Sequence, residues 1–150
     1  MRVGYVIAPN EITQKLVVAK QVSDVHTTML SQMLAENFMS KYDYECHIKK
    51  IQAVYRHKCA LMLDGIERHF NKDIAFTRPE GGLFLWCTLP EGTDMLDYIK
   101  RAAAAGVAAV PGVAFNANPA DSSNSFRLNY STPTDDQIVR GIEILGGIKF

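Results

Sequence analysis

The chain has 150 residues, of which 47% are hydrophobic and 21% are charged, and 16 basic residues balance 16 acidic ones. This composition is typical of a globular protein, and the balanced charge argues against a nucleic-acid-binding surface in this region. No apolar run approaches the roughly 20 residues that span a bilayer, and the first nine residues, bounded by Pro9, do not resemble a signal peptide.

The cysteines indicate a reducing environment. The sequence has three cysteines, Cys46, Cys59 and Cys87, and none of them forms a Cys-x-x-Cys pair. An odd number without such a pair argues against a disulfide framework and favours the cytoplasm. His47 directly follows Cys46, and His57 lies two residues before Cys59, so neither pair shares a helix face. The sequence therefore predicts no metal site.

The first part of the chain is predicted to form a buried strand at residues 3–8 and three helices. The helices are expected at 11–21, from one of several candidate caps within 23–28 to about residue 40, and at 44–70. The last helix would be roughly 39 Å long at 1.5 Å per residue. Because a compact lobe does not need a helix of that length, we expect it to link two lobes.

The second part of the chain has the pattern β-β-α-β-β-α. The predicted elements are strands at 74–78 and 83–88, a helix at 95–105, strands at 107–115 and 125–131, and a helix that starts within 132–135. Pro111-Gly112 interrupts the third strand, and Pro133 is expected at the first position of the last helix, which Gly146-Gly147 ends. The predicted fold class is α/β, with an α+β small domain built on an antiparallel or mixed sheet.

The last predicted strand carries the principal candidate residue. Phe126, Leu128 and Tyr130 alternate with polar residues, so one face suits a core and the other carries Arg127. A guanidinium group matches a carboxylate or a phosphate with two parallel hydrogen bonds. An isolated arginine on a half-buried strand is more often a solvated residue, so further observations are needed to assign it a function.

Five segments resemble, in the same order, the fold-type I aminotransferases of class I/II, which depend on pyridoxal phosphate. They are Met1-Arg2-Val3-Gly4-Tyr5, residues 26–32, Pro79-Glu80-Gly81-Gly82 with the strand after it, Val110-Pro111-Gly112-Val113-Ala114-Phe115, and Ser125-Phe126-Arg127-Leu128-Asn129-Tyr130. The resemblance covers essentially all of the chain. It implies that residues 1–43 are a remnant of the large cofactor-binding domain, and that residues 44–150 are the linking helix and the small C-terminal domain.

The same resemblance implies roles for two arginines. Arg2 is similar to the arginine that grips the cofactor phosphate, and Arg127 is similar to the arginine that binds the substrate α-carboxylate. The chain departs from the family because no Ser-x-x-Lys precedes Arg2, so the Schiff-base lysine is absent. The resemblance thus implies a C-terminal portion of an amino-acid:2-oxo-acid aminotransferase that is inactive alone, and a homodimeric parent protein.

Two alternatives remain open. The first is the effector domain of a transcription regulator built like an aminotransferase, whose distinguishing DNA-binding module would lie upstream of this region. The second is a free-standing binding domain in which Arg127 is a surface residue. The expected length of the linking helix argues against the second alternative.

Overall fold

The computed structural model describes residues 2–118 and 120–150, and the chain divides into two compact units, Met1–Lys50 and Ile51–Phe150. The boundary between the units falls within one 26-residue helix, Tyr44–His69, called α3 below. Within the described ranges, none of the helices combines the length and the apolarity that a membrane crossing requires.

The first unit is helical. It contains α1 (Asn10–Ser23), α2 (Met29–Lys41) and the beginning of α3, and neither α1 nor α2 has a buried residue. The predicted strand at residues 3–8 is wrong, because this segment is in neither a helix nor a strand. A strand is stabilised by backbone hydrogen bonds to a neighbouring strand, and no described residue pairs with this segment.

The second unit is built on a four-stranded sheet of β1 (Ala75–Phe76), β2 (Phe84–Thr88), β3 (Val110–Pro111) and β4 (Ser125–Asn129). The spatial order is β1-β2-β4-β3, and every pair of neighbouring strands is antiparallel. The helix α4 (Met95–Ala104) lies between β2 and β3 in sequence, and α5 (Asp135–Gly147) follows β4. The predicted order β-β-α-β-β-α is confirmed.

The core of the second unit lies on one face of this sheet. The core face of the strands carries Leu85, Cys87, Phe126 and Leu128, all 4% exposed or less. Buried residues of α3, α4 and α5 complete the same cluster: Met62, Ile66, Met95, Tyr98, Ala102, Ile138, Ile142 and Leu145. Successive side chains of a strand point to opposite faces of the sheet, so the residues between these core residues lie on the opposite face, away from the three helices.

Two details differ from the sequence-based expectation. The third strand has only two residues, because a short 3₁₀ helix (Gly112–Phe115) follows Pro111 directly, where a longer strand was predicted. The last helix begins at Asp135 with Thr134 as its N-cap, so Pro133 precedes the cap and is not at the first helical position. The Thr134 hydroxyl accepts a hydrogen bond from the Gln137 backbone, whose side chain accepts one from the Thr134 backbone.

Candidate functional site

Arg127 lies in the middle of β4, an interior strand of the sheet. It pairs with Trp86 of β2 on one side and with Val110 of β3 on the other. Because Phe126 and Leu128 are buried in the core, the Arg127 side chain extends from the opposite face, where it is half-buried. The predicted alternation of this strand is thus confirmed, and it gives Arg127 a fixed backbone position.

Two phenyl rings contact the guanidinium group of Arg127. Its central carbon, Cζ, lies 3.9 Å from the centroid of the Phe84 ring and 4.7 Å from that of Phe115. Trp86 packs against Phe115 in an edge-to-face arrangement with 5.5 Å between ring centroids. A guanidinium cation over an aromatic face is attracted by the ring quadrupole. The aromatic residues therefore restrict the orientation of the arginine.

The charge of Arg127 is not neutralised by an acidic side chain among the described residues. Three other arginines of the second unit do have such partners: Arg68 pairs with Asp64, Arg78 with Glu67 and Arg101 with Asp97. A guanidinium that is half-buried, oriented and without an internal counter-ion is suited to bind an external anion. A carboxylate or a phosphate would complete this site chemically.

The polar neighbours of Arg127 on its strand are held by local hydrogen bonds. The Ser125 hydroxyl lies 2.9 Å from the Thr88 hydroxyl across the strand pair. The Asn129 side-chain oxygen accepts hydrogen bonds from the Ser131 backbone and from its hydroxyl, at 2.6 Å and 2.7 Å. These contacts fix both ends of the polar face around the arginine.

The segment that leads into Phe84 is anchored by Tyr130. The Tyr130 hydroxyl donates a 2.8 Å hydrogen bond to the Gly82 carbonyl, and its backbone N–H donates to the Leu83 carbonyl at 3.2 Å. Gly82 has φ +89°, a conformation that glycine adopts readily. Burial raises the pKa of Tyr130, and Cys59 raises it further, so the hydroxyl keeps its proton for this hydrogen bond.

The segment that carries Phe115 is packed closely against β4. A Cβ atom on Gly112 would lie 2.6 Å from the Ser125 carbonyl oxygen, so only glycine fits without displacement of the backbone. Three residues later the 3₁₀ helix brings Phe115 to the Arg127 guanidinium. Phe84 and Phe115 were not predicted as site residues, although both belong to segments that carry the family resemblance.

Arg2 lies in the first unit, in the extended segment before α1. It is exposed, has φ +56°, and forms no ion pair with an acidic side chain among the described residues. Arg127 and its aromatic neighbours belong to the second unit, so the two predicted site residues are found in different units. In the part of the chain that the structure describes, no three His, Cys, Asp or Glu side chains could hold a metal ion together.

Comparisons with known proteins identify relatives of the whole chain. A family model described as aminotransferase class I and II matches residues 1–145. The 2-aminoadipate transaminase of Thermus thermophilus is 39% identical over 146 residues, which are 97% of this chain and 36% of that protein. A transcriptional regulator of Escherichia coli, the uncharacterized HTH-type protein YjiR, is 29% identical over 97% of this chain and 31% of its own length.

A solved structure is similar to this chain as well. It is the crystal structure of LysN, an α-aminoadipate aminotransferase of Thermus thermophilus, complexed with N-(5'-phosphopyridoxyl)-L-leucine. The TM-score is 0.82 and the identity 38%, over 93% of this chain and 36% of that one. The chain therefore spans about a third of the length of the relatives it matches.

Proposed function

The chain belongs to the class I and II aminotransferase family, and from this membership we propose that it is the C-terminal portion of an amino-acid:2-oxo-acid aminotransferase. In the complete protein, residues 1–43 belong to the cofactor-binding domain, and residues 44–150 form the linking helix and the small domain. Three free thiols favour a cytoplasmic protein, and we expect the complete protein to be a homodimer.

The observation that carries this proposal is the environment of Arg127. Its guanidinium is held against Phe84 and Phe115 and has no acidic partner among the described residues. An α-carboxylate is common to amino acids and 2-oxo acids, so one bidentate arginine serves both substrates. Binding of that carboxylate would orient the substrate Cα–H bond, and such orientation lowers a barrier by several kcal/mol.

The proposed cofactor is pyridoxal phosphate, an electron sink that stabilises negative charge on the substrate Cα when it is bound. The residues of this chain fit part of it, because the exposed Arg2 supplies a permanent positive charge for the phosphate. They do not supply the lysine that would attach the cofactor. Lys15 and Lys20 lie on α1, and Lys20 is paired with Asp24 at 2.7 Å. We therefore expect the chain to be inactive on its own.

The test uses the complete protein that contains this chain, loaded with pyridoxal phosphate. Arg127→Ala should lower the affinity for amino acids and 2-oxo acids by at least about 100-fold, because two charged hydrogen bonds are lost and each is worth about 1.5–3 kcal/mol. The retention of the cofactor should change little. Arg2→Ala should do the reverse, with faster loss of the cofactor on dialysis.

The matched control is Arg140→Ala, which removes an exposed arginine of α5 and should leave both affinities unchanged. Substrate affinity of Arg127→Ala equal to that of the wild type would remove Arg127 from the site. Unchanged cofactor retention in Arg2→Ala would likewise remove Arg2.

A second candidate function is the effector domain of a transcription regulator. The match to YjiR supports it, because YjiR matches 97% of this chain, the same share that the 2-aminoadipate transaminase matches. In a regulator, Arg127 would bind an effector carboxylate without turnover. Specific DNA binding by the complete protein, with no transamination of any amino acid tested, would favour this second function.

A further inference from the structure

We propose that Phe84 and Phe115 are positioning residues, which hold the Arg127 guanidinium so that its N–H edge faces an incoming carboxylate. This inference rests on the proposed function, because it concerns how Arg127 recognises the substrate. Phe115 is the more informative of the two rings, since it reaches the arginine from a separate segment, the 3₁₀ helix Gly112–Phe115.

The direction of the guanidinium donors determines how Arg127 can meet a carboxylate. All N–H bonds of a guanidinium lie in its plane. The Cζ atom lies 3.9 Å from the Phe84 centroid, so the cation is positioned over the face of that ring. Stacking on a ring face leaves the donors at the edge of the plane accessible, which a bidentate carboxylate requires.

Phe115 contributes little to the core. Its side chain is 47% exposed, whereas Phe126 of the neighbouring strand is fully buried. An exposed ring that touches a cation and another aromatic side chain is not explained by burial of apolar area. Its contacts with Arg127 and Trp86 account for its position.

Phe115 is itself held in place by its neighbours. Trp86 packs edge-to-face on its ring and is the direct cross-strand partner of Arg127. Gly112, at the start of the same 3₁₀ helix, packs closely against the Ser125 carbonyl of β4. The ring and the arginine are thus both positioned from β4 and its partner strand, so their relative placement is fixed before a ligand arrives.

The consequence is a specific kinetic signature. Without the Phe115 ring, the long arginine side chain gains rotamer freedom that carboxylate binding must remove again. In the complete, cofactor-loaded protein, Phe115→Leu should raise KM for both the amino acid and the 2-oxo acid about 5- to 10-fold. The value of kcat at saturating substrate should change less than about 2-fold, and Phe115→Tyr, which keeps the ring, should restore KM.

A double-mutant cycle separates this role from a direct contact with the substrate. If the ring acts through Arg127, Phe115→Leu should have no further effect on substrate affinity in the Arg127→Ala background. The control is Phe76→Leu, which removes the ring beside a different arginine, Arg78, at 5.5 Å, and should leave KM unchanged. Wild-type KM in Phe115→Leu, or an equal effect in both backgrounds, would overturn the inference.

A second readout does not depend on substrate. In the complete, substrate-free protein, ring currents from Phe84 and Phe115 should shift the Arg127 Nε–H resonance upfield and keep it sharp. Phe115→Leu should move it toward the position of a solvated arginine and broaden it; an unchanged resonance would contradict the positioning role. Normal substrate affinity in Arg127→Ala would instead contradict the proposed function, and the resonance test would still stand.

Discussion

Neighbouring residues of β4 have opposite environments. Phe126 and Leu128 are almost fully buried in the core, while Arg127 between them lies against two aromatic rings on the other face. A shift of one residue in the pairing with β2 would exchange these environments and bury the guanidinium. The register that pairs Trp86 with Arg127 therefore determines both the stability of the sheet and the existence of the site.

Tyr98 is the residue whose substitution best probes the core electrostatics. Its hydroxyl donates a 2.8 Å hydrogen bond to the Leu145 carbonyl, and its side chain is fully buried. Burial, together with the neighbouring Cys87, raises the pKa of Tyr98 to about 12 from the usual 10.0. Burial also raises the pKa of Cys87, from 9.0 to about 12. Both groups are therefore neutral in the folded core over a wide pH range.

The free energy of unfolding should fall as the pH rises from 9 to 12. In this window the unfolded chain releases protons from Cys87 and Tyr98 that the folded chain retains, so ionisation favours unfolding. Each group contributes a slope of at most about 1.4 kcal/mol per pH unit. The contribution of these two groups to the free energy of unfolding is fully present below pH 9. It is lost as the pH rises toward their pKa values in the folded state.

Tyr98→Phe tests this assignment by urea unfolding at several pH values. At pH 7 the variant should lose about 0.5–1.5 kcal/mol, because the Leu145 carbonyl loses the Tyr98 donor and keeps only the longer 3.2 Å hydrogen bond from the Ile148 N–H. Above pH 10 its stability should fall less steeply than that of the wild type, with the contributions of Cys87 and Tyr130 left. Tyr44→Phe, at an exposed tyrosine, is the control and should change neither quantity. A slope unaltered by Tyr98→Phe would show that Tyr98 ionises normally.

At the level of elements, α5 and the end of α3 are in close contact through a glycine. A Cβ atom on Gly146 would overlap the His69 backbone, at 2.7 Å from its carbonyl carbon, whereas nothing lies within 4 Å of one on Gly147. Gly146→Ala should therefore lower the free energy of unfolding by about 1–3 kcal/mol, as overpacking does. Gly147→Ala should be neutral or slightly stabilising, because alanine is the better helix former.

Thermal unfolding of the two glycine variants checks this prediction, since they differ by one position in the same helix turn. Equal melting temperatures would mean that the contact between Gly146 and the His69 backbone adjusts to a Cβ atom without loss of stability. Gly146-Gly147 was expected to end the last helix, and α5 does end at Gly147. The reason for a glycine at position 146 is the approach of another backbone, which only a tertiary structure reveals.

The elements were predictable from the sequence where local signals agreed with burial. β2, α4 and β4 were expected within one or two residues because their alternation or capping is local, as for Asp94, whose side chain caps α4. The strand at 3–8 was wrongly predicted because an apolar segment forms a strand only beside another strand, and no described residue pairs with it. Pro133 was expected at the first position of the last helix, but the helix begins after Thr134, which forms reciprocal hydrogen bonds with Gln137.

The candidate site was partly predictable for a similar reason. The alternation of β4 placed Arg127 on the polar face, and the family resemblance proposed its role. Phe84 and Phe115 could not be assigned to the site because their contact with Arg127 joins residues 43 and 12 positions away in sequence. A pairing of this kind follows from sheet order β2-β4-β3, which local patterns do not determine.

At the scale of the whole molecule, the first unit exposes an unusual amount of apolar surface. Tyr5, Ile7 and Val22 are each 84–88% exposed, and neither α1 nor α2 buries a residue. Large exposed apolar patches are typical of interaction surfaces. We therefore expect the 150-residue chain, in isolation, to self-associate as its concentration rises.

Sedimentation velocity over a concentration series measures this tendency. The triple variant Tyr5→Ser, Ile7→Ser and Val22→Ser should shift the chain toward monomer, because the association depends on apolar burial. Val139→Ser, at an exposed valine of α5 in the second unit, is the control and should leave the distribution unchanged. The association should also persist in 0.5 M salt, since charge pairs would be screened there and apolar contacts would not. A chain that stays monomeric at all concentrations, or that dissociates in salt, would contradict an apolar interface on this unit.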